Sequence, residues 1–253
     1  EYFDGTGWYE IVDEYASGFI GPGTNYFDTK LYTGNGAAQS IGGYINGSGS
    51  FNGSSSFIQT SLSLDATSNT ISFWFNADSV GSQNPALYFN NRGGRIDITI
   101  NSTSSNTATA SFENILINST TAITGWNFVS IVFTGWASSY SAGSYGSAIT
   151  ANVYLNGGSA VSLSPTPYGQ SDGLRIGRSG GGYYYDGSID QVRIYDAALS
   201  ASDVAALNLE TATTATTAAF PSGQTAIATY TMDTSANGLL NTQDLSTVDY
   251  PSG

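Results

Sequence analysis

Between residues 171 and 207, apolar positions first alternate with polar ones and then recur at a helical interval. Leu174 and Ile176 interleave with Arg175 and Gly177, the period of a half-buried strand. Gly180, Gly181 and Gly182 break that run, and Tyr183, Tyr184 and Tyr185 follow. Residues 189–195 read as a second strand. Ser200 then offers a helix N-cap with Asp203 as the acid of a capping box, and Leu199 and Val204 are spaced as a hydrophobic staple.

Upstream the same period recurs. In residues 70–77, TISFWFNA, Ile71, Phe73 and Phe75 share one face and Trp74 lies on the other. Apolar residues on both faces predict a strand inside a two-layer sandwich. Residues 86–90 and 95–101 read as the next strands, and 108–117 as another. Residues 125–135 form a further apolar run, and VYLNG at 153–157 ends in Asn156-Gly157, a hairpin turn signal. An insertion at 135–150 separates those two, carrying Trp136, Tyr140 and Tyr145.

The order L-x-I-G, loop, Y-x-G-x-I-D-x-V-R-I-Y-x-x-A-L-S-x-x-D-V-x-x-L, from Leu174 to Leu207, resembles the closing signature of the laminin G-like family of concanavalin A-like jelly rolls. SFNGSSSFIQT at 50–60, TISFWF at 70–75, the W-x-x-V-x-x-x-F run from Trp126 to Phe133 and VYLNG resemble its earlier strands. The resemblance implies an all-β, two-sheet antiparallel jelly-roll sandwich with one short helix and a β-rich N-terminal extension. That fold hosts lectins, glycosidases and structural spacers alike, so it does not by itself fix a function.

The expected organisation has four parts. Residues 1–42 form the N-terminal extension, with Asn35-Gly36 as a hairpin turn signal. Its two halves are similar to segments of tail-fibre and virion-surface proteins of marine phages. The jelly roll spans 43–210. A Thr/Ala-rich tract at 211–225 reads as a linker or an edge strand. The tail at 226–253 resembles the first strand of a second module, or else completes a sheet of this or a neighbouring copy. A chain that starts at Glu1 and ends in DYPSG is expected to be processed, or a piece of something longer.

Charge narrows the field. The formal net charge is −13, with six basic residues. Nucleic acid needs a basic stripe, and an anionic membrane would repel the chain. No apolar run approaches the roughly 20 residues of a membrane span. With no Cys and no His, thiolate, imidazole and Ser-His-Asp chemistry are excluded. Glycosidases of this fold hold paired carboxylates on one strand. Glu10, Asp13 and Glu14 lie outside the jelly roll and Glu113 stands alone, so a non-enzyme is expected.

Two kinds of site remain. Asp190 is placed on the apolar strand face with Val192 and Ile194, where a carboxylate needs a partner. The resemblance implies a structural Ca²⁺ held by Asp190 with the early turn, here Asn52 and Gly53; the alternative is that Asp190 caps backbone N–H groups or pairs with Arg193 or Arg175. For sugars, flat aromatics are the expected platform, and Tyr offers rigid contact area at low entropic cost. Trp136, Tyr140 and Tyr145 of the insertion, Tyr183 and Tyr184 of the Gly-rich loop, and Arg92 in another loop are the candidates. Tyr185 fills the aromatic core position of the family. The expectation is an extracellular, non-enzymatic virion-surface or fibre module that adheres to cell-surface glycans as a homo-oligomer. The alternatives are a purely structural assembly subunit, whose aromatic loops contact other copies or other virion proteins, and a secreted bacterial adhesin.

Overall fold

The computed structural model describes residues 43–45, 47–60, 62–78, 84–101, 114–118, 125–169, 173–215 and 219–234, with strand pieces at 2–3, 8–9, 32–34, 38–40, 107–108 and 240–241. In chain order the strands begin β1 (Tyr2–Phe3), β2 (Trp8–Tyr9), β3 (Tyr32–Gly34), β4 (Ala38–Ser40), β5 (Ser48–Asn52), β6 (Phe57–Gln59) and β7 (Ser68–Ala77). They continue with β8 (Asn84–Asn91), β9 (Gly94–Asn101), β10 (Thr107–Ala108), β11 (Asn114–Asn118), β12 (Asn127–Thr134) and β13 (Thr150–Leu155). The last are β14 (Val161–Leu163), β15 (Tyr168–Gly169), β16 (Arg175–Ile176), β17 (Asp186–Tyr195), β18 (Ala228–Tyr230), β19 (Asp233–Thr234) and β20 (Leu240–Asn241). Helices α1 (Ala201–Asn208) and α2 (Ala212–Ala215) follow β17.

Two sheets result. The first runs β10-β11-β9-β8-β16-β6-β3, with β15 beside β9. The second runs β14-β13-β12-β7-β17-β5-β4, with β18 beside β17. Pairing is antiparallel except between β11 and β9. This is the all-β jelly-roll sandwich expected from the sequence. Asn156 (φ 50°) and Gly157 (φ 72°) take the left-handed conformations that a tight hairpin turn needs, and β13 pairs with β14 across them.

Between the sheets, Ile71, Phe73, Phe75, Val129, Ile131 and Phe133 meet Leu87, Phe89, Ile96, Ile98 and Ile176 in one buried cluster. Each such side chain contributes on the order of 1.5–3 kcal/mol. The second sheet is also apolar outside. Trp74, Phe128, Val132 and Tyr195 pack under Leu199, Val204 and Leu207. The Ser200–Asp203 capping box fixes the start of α1 there.

Several elements differ from the expectation. Asn35 and Gly36 lie outside the described residues, but the strands on either side join opposite sheets: β3 pairs with β6 and β4 with β5, so they form no hairpin together. The run 108–117 is not one strand; β10 and β11 are separate and pair with each other. The Thr/Ala tract opens as the short helix α2 instead of a strand. From the tail, β18 pairs with β17 in the second sheet of this same chain, which is one of the arrangements expected for it.

A bulge in β17 overturns the placement of Asp190. The register shifts between Asp190, opposite Trp74, and Arg193, opposite Ser72, with Gln191 at φ 48°. An extra residue reverses the in–out parity of a strand. Asp190 therefore shares the outer face with Trp74, whereas Val192 and Ile194 point into the core.

Candidate functional site

The outer face of the first sheet is built differently. Inward positions on β6, β8, β9 and β16 hold Ile58, Leu87, Phe89, Ile96, Ile98 and Ile176. Alternation leaves Phe57, Gln59, Tyr88, Arg95, Asp97 and Arg175 on the other side. The register sets them in rows: Asp97 opposes Tyr88, Tyr88 opposes Arg175, and Arg175 opposes Gln59. Tyr168 of β15 opposes Arg95.

These side chains alternate aromatic and guanidinium in space. The rings of Tyr145 and Tyr168 meet at 4.9 Å between centroids. The Arg95 guanidinium lies 4.7 Å from the Tyr168 ring centre and 5.8 Å from that of Tyr88. Arg175 reaches the same Tyr88 ring at 4.8 Å. Beside this row, Arg178 lies 4.8 Å from Phe57 and 5.3 Å from Tyr184. Each contact is a cation–π geometry, worth about 0.5–1 kcal/mol at exposed sites.

The Gly-rich loop sits on this row. A Cβ at Gly180 would come 3.0 Å from Tyr88 and 3.1 Å from Arg95, so the glycine backbone lies close against both side chains. The Gly180 N–H donates to Asp97 Oδ1 at 3.4 Å. The loop buries Tyr88 completely and raises Tyr183 into solvent at 51% exposure. Tyr145 is 49% exposed at the other end of the row. Tyr168, Tyr184, Arg95, Arg175 and Arg178 are half-buried.

The insertion that carries Tyr145 is pinned down. Gly146 N–H donates to the Pro167 carbonyl at 2.8 Å, Gly169 N–H to Ser144 at 2.6 Å and Tyr140 N–H to Arg92 at 3.1 Å. Trp136, expected as a sugar platform, is 4% exposed and plugs the end of the core against Phe89 and Phe133. Tyr140 packs edge-on to Trp136 at 6.0 Å, and its ring leaves no room for a Cβ at Gly146. Burial pushes the Tyr140 phenol above its ordinary value. Arg92 takes the left-handed turn position (φ 53°) and pairs with Asp65 at 3.4 Å. Of the six ligand candidates, the structure brings Tyr145, Tyr183 and Tyr184 to the face of the first sheet. It assigns Trp136 and Tyr140 to packing and Arg92 to a turn. Arg95, Arg175, Arg178, Tyr168 and Phe57 complete the face and were not singled out from sequence. Their signal was the outward parity of basic residues in a chain that has only six.

The calcium donors do not converge. Asp190 is fully buried; Oδ2 accepts from Ile45 N–H at 2.9 Å and Oδ1 from Gln191 N–H at 2.7 Å. Asn52 opposes Asp186, four residues back along β17, or about 13 Å away at strand rise. Its Oδ1 accepts from the N–H groups of Ser54, Ser55 and Ser56. The carboxylate beside Gly53 is that of Asp186. Among the described residues no group of three or more His, Cys, Asp or Glu converges. Asp190, Asn52 and Gly53 therefore do not fit a common Ca²⁺ cage; Asp190 anchors backbone.

Other carboxylates are also engaged. Glu210 pairs with Arg193 and accepts from Trp74 Nε1 at 2.5 Å; Asp203 serves the helix cap. Glu10, Asp13, Glu14 and Glu113 lie outside the described residues.

A two-sheet antiparallel sandwich with one helix-covered face and one face lined by aromatic and arginine side chains defines the class: a concanavalin A-like jelly roll. The chain belongs to the family described as the concanavalin A-like lectin/glucanases superfamily, through a laminin G-type match over residues 48–205. Among solved structures it is similar to domain 4 of AbnA, a GH43 extracellular arabinanase from Geobacillus stearothermophilus, in complex with arabinotriose. Identity is 19% and the TM-score 0.48, over 69% of this chain and 82% of that one. No curated protein matches the sequence.

Proposed function

We propose that this chain is a non-catalytic carbohydrate-binding module that uses the outer face of the first sheet. The observation that carries this reading is the aromatic–guanidinium row with two exposed rings, Tyr145 at one end and Tyr183 on the overlying Gly-rich loop. Exposed tyrosines set on hydrogen-bonded loops can stack on the apolar face of a pyranose without first being ordered, which limits the entropic cost of binding. Half-buried Gln59 and the arginines supply polar groups for hydroxyls. Hydrolysis would need paired carboxylates; Glu210 is engaged with Arg193 and Trp74, Asp203 with the helix cap and Asp190 with backbone N–H groups, which supports a non-catalytic role.

The setting proposed for it is display on a virion or fibre surface. A glycan array probed with the wild-type chain and with Tyr183→Ala tests the core of the reading. Selective glycan signals that fall about tenfold or more in the variant are expected. An array without any signal overturns it.

An assembly subunit is the second reading. The strand β14 favours it, since it lies at the edge of the second sheet among the described residues and Val161 there is 41% exposed. Sedimentation of wild type against Val161→Lys separates the two: only an assembly through that edge dissociates.

A further inference from the structure

We infer that β18 is an exchangeable donor strand: the half-edge of β17 that it fills also accepts the same segment from a second copy of this chain. The inference is independent of what the first sheet binds.

Strand β17 gives one edge to β7 and divides the other between two short partners. β5 pairs with residues 186–189 and β18 with residues 192–194, both antiparallel. The bulge lies at the junction, and two of its side chains hold one partner each. Asp190 Oδ2 accepts from the N–H of Ile45, just ahead of β5, at 2.9 Å. Gln191, at φ 48°, donates from Nε2 to the Thr231 carbonyl at 3.2 Å, and its Oε1 accepts from Arg193 at 3.1 Å. A bulge re-aims side chains in this way. Ala228, Tyr230 and Met232 enter the buried cluster that holds Val192 and Ile194. Main-chain pairing supplies affinity for an added strand, and its alternate buried side chains supply specificity. The pairing and the Gln191 bond are made to β17, so they are identical whichever copy supplies the segment.

The connection has the length for exchange. Glu210 pairs with Arg193, and Phe220 lies 5.5 Å from the same guanidinium. The nine residues 211–219 therefore leave from and return to one side chain. Extended, nine residues span about 30 Å, roughly the width of a small domain. Exchange of an identical element is a low-cost route to a dimer. A short tether holds its own strand at an effective concentration in the millimolar range, so the closed monomer prevails in dilute solution.

The test uses the full chain, which has no Cys. Ile194→Cys and Ala228→Cys, direct partners in the register, are made on separate chains. The two are unfolded, mixed, refolded at about 1 mM and oxidised. A disulfide-linked heterodimer is expected, with no cross-link when either variant refolds alone. Size exclusion of wild type, refolded at that concentration and about a thousandfold more dilute, needs no variant. A dimer is expected in the concentrated sample only, reduced about tenfold or more by excess synthetic peptide of residues 219–234. Wild type that stays monomeric at both concentrations overturns the inference. A dimer that the peptide leaves intact overturns it too, as does a dimer of folded variants without the cross-link.

Discussion

The two outer faces of the sandwich use the same pair of side-chain types to opposite ends. On the second sheet, Arg193 lies 5.5 Å from Phe220, beside Trp74, with Tyr44 stacked on Trp74 at 3.4 Å. Helix α1 and residues 219–227 cover it, and Glu210 neutralises it. On the first sheet, Arg95, Arg175 and Arg178 lie over tyrosines and Phe57, and among the described residues a glycine loop and the Tyr145 insertion lie beside them. Arginine over an aromatic ring is therefore not itself a mark of function. Coverage by a helix separates the structural pair on the second sheet from the face proposed for recognition.

That contrast can be broken from the sealed side first. Glu210→Ala leaves Arg193 buried without its partner and should cost about 3–5 kcal/mol, read by chemical denaturation. Trp136→Ala should cost a similar ~3–5 kcal/mol through the cavity it opens at the end of the core. If Trp136→Ala instead kept full stability and lost only glycan signal, the assignment of Trp136 to packing would fail. Ser200→Ala, which removes the cap of the covering helix, should cost about 1 kcal/mol.

On the open side the expected stability effects are small. Tyr183→Ala should stay within about 0.5 kcal/mol of wild type, because its ring is half exposed. Tyr185→Phe is the smallest. The Tyr185 hydroxyl is buried without a hydrogen-bond partner among the described residues, and burial pushes its phenol well above the ordinary value. Deleting the hydroxyl should be neutral or slightly stabilising. A loss above about 1 kcal/mol would reveal a partner for that oxygen.

Local patterns carried most of the fold. The alternation through residues 70–77, the Asn156-Gly157 turn and the Ser200 cap are short-range signals, and each appears where sequence periodicity puts it. Long-range pairing was less legible. Nothing local separates β3 from β4 into opposite sheets, and one bulged residue was enough to reverse the face of Asp190. The site was half legible. Tyr145 and Tyr183 were visible as aromatics in glycine-rich loops. Trp136 looked equivalent, and only its packing against Phe89 and Phe133 distinguishes it. Arg95, Arg175 and Arg178 lie up to 83 residues apart in sequence and become neighbours only through the order β9-β8-β16-β6.

Hydrogen–deuterium exchange on the wild-type chain, with and without a glycan selected on the array, tests most directly which face is in use. Added protection is predicted in residues 141–147 and 179–184, with none in α1 or residues 219–227. Protection gained under α1, with the tyrosine loops unchanged, would contradict it.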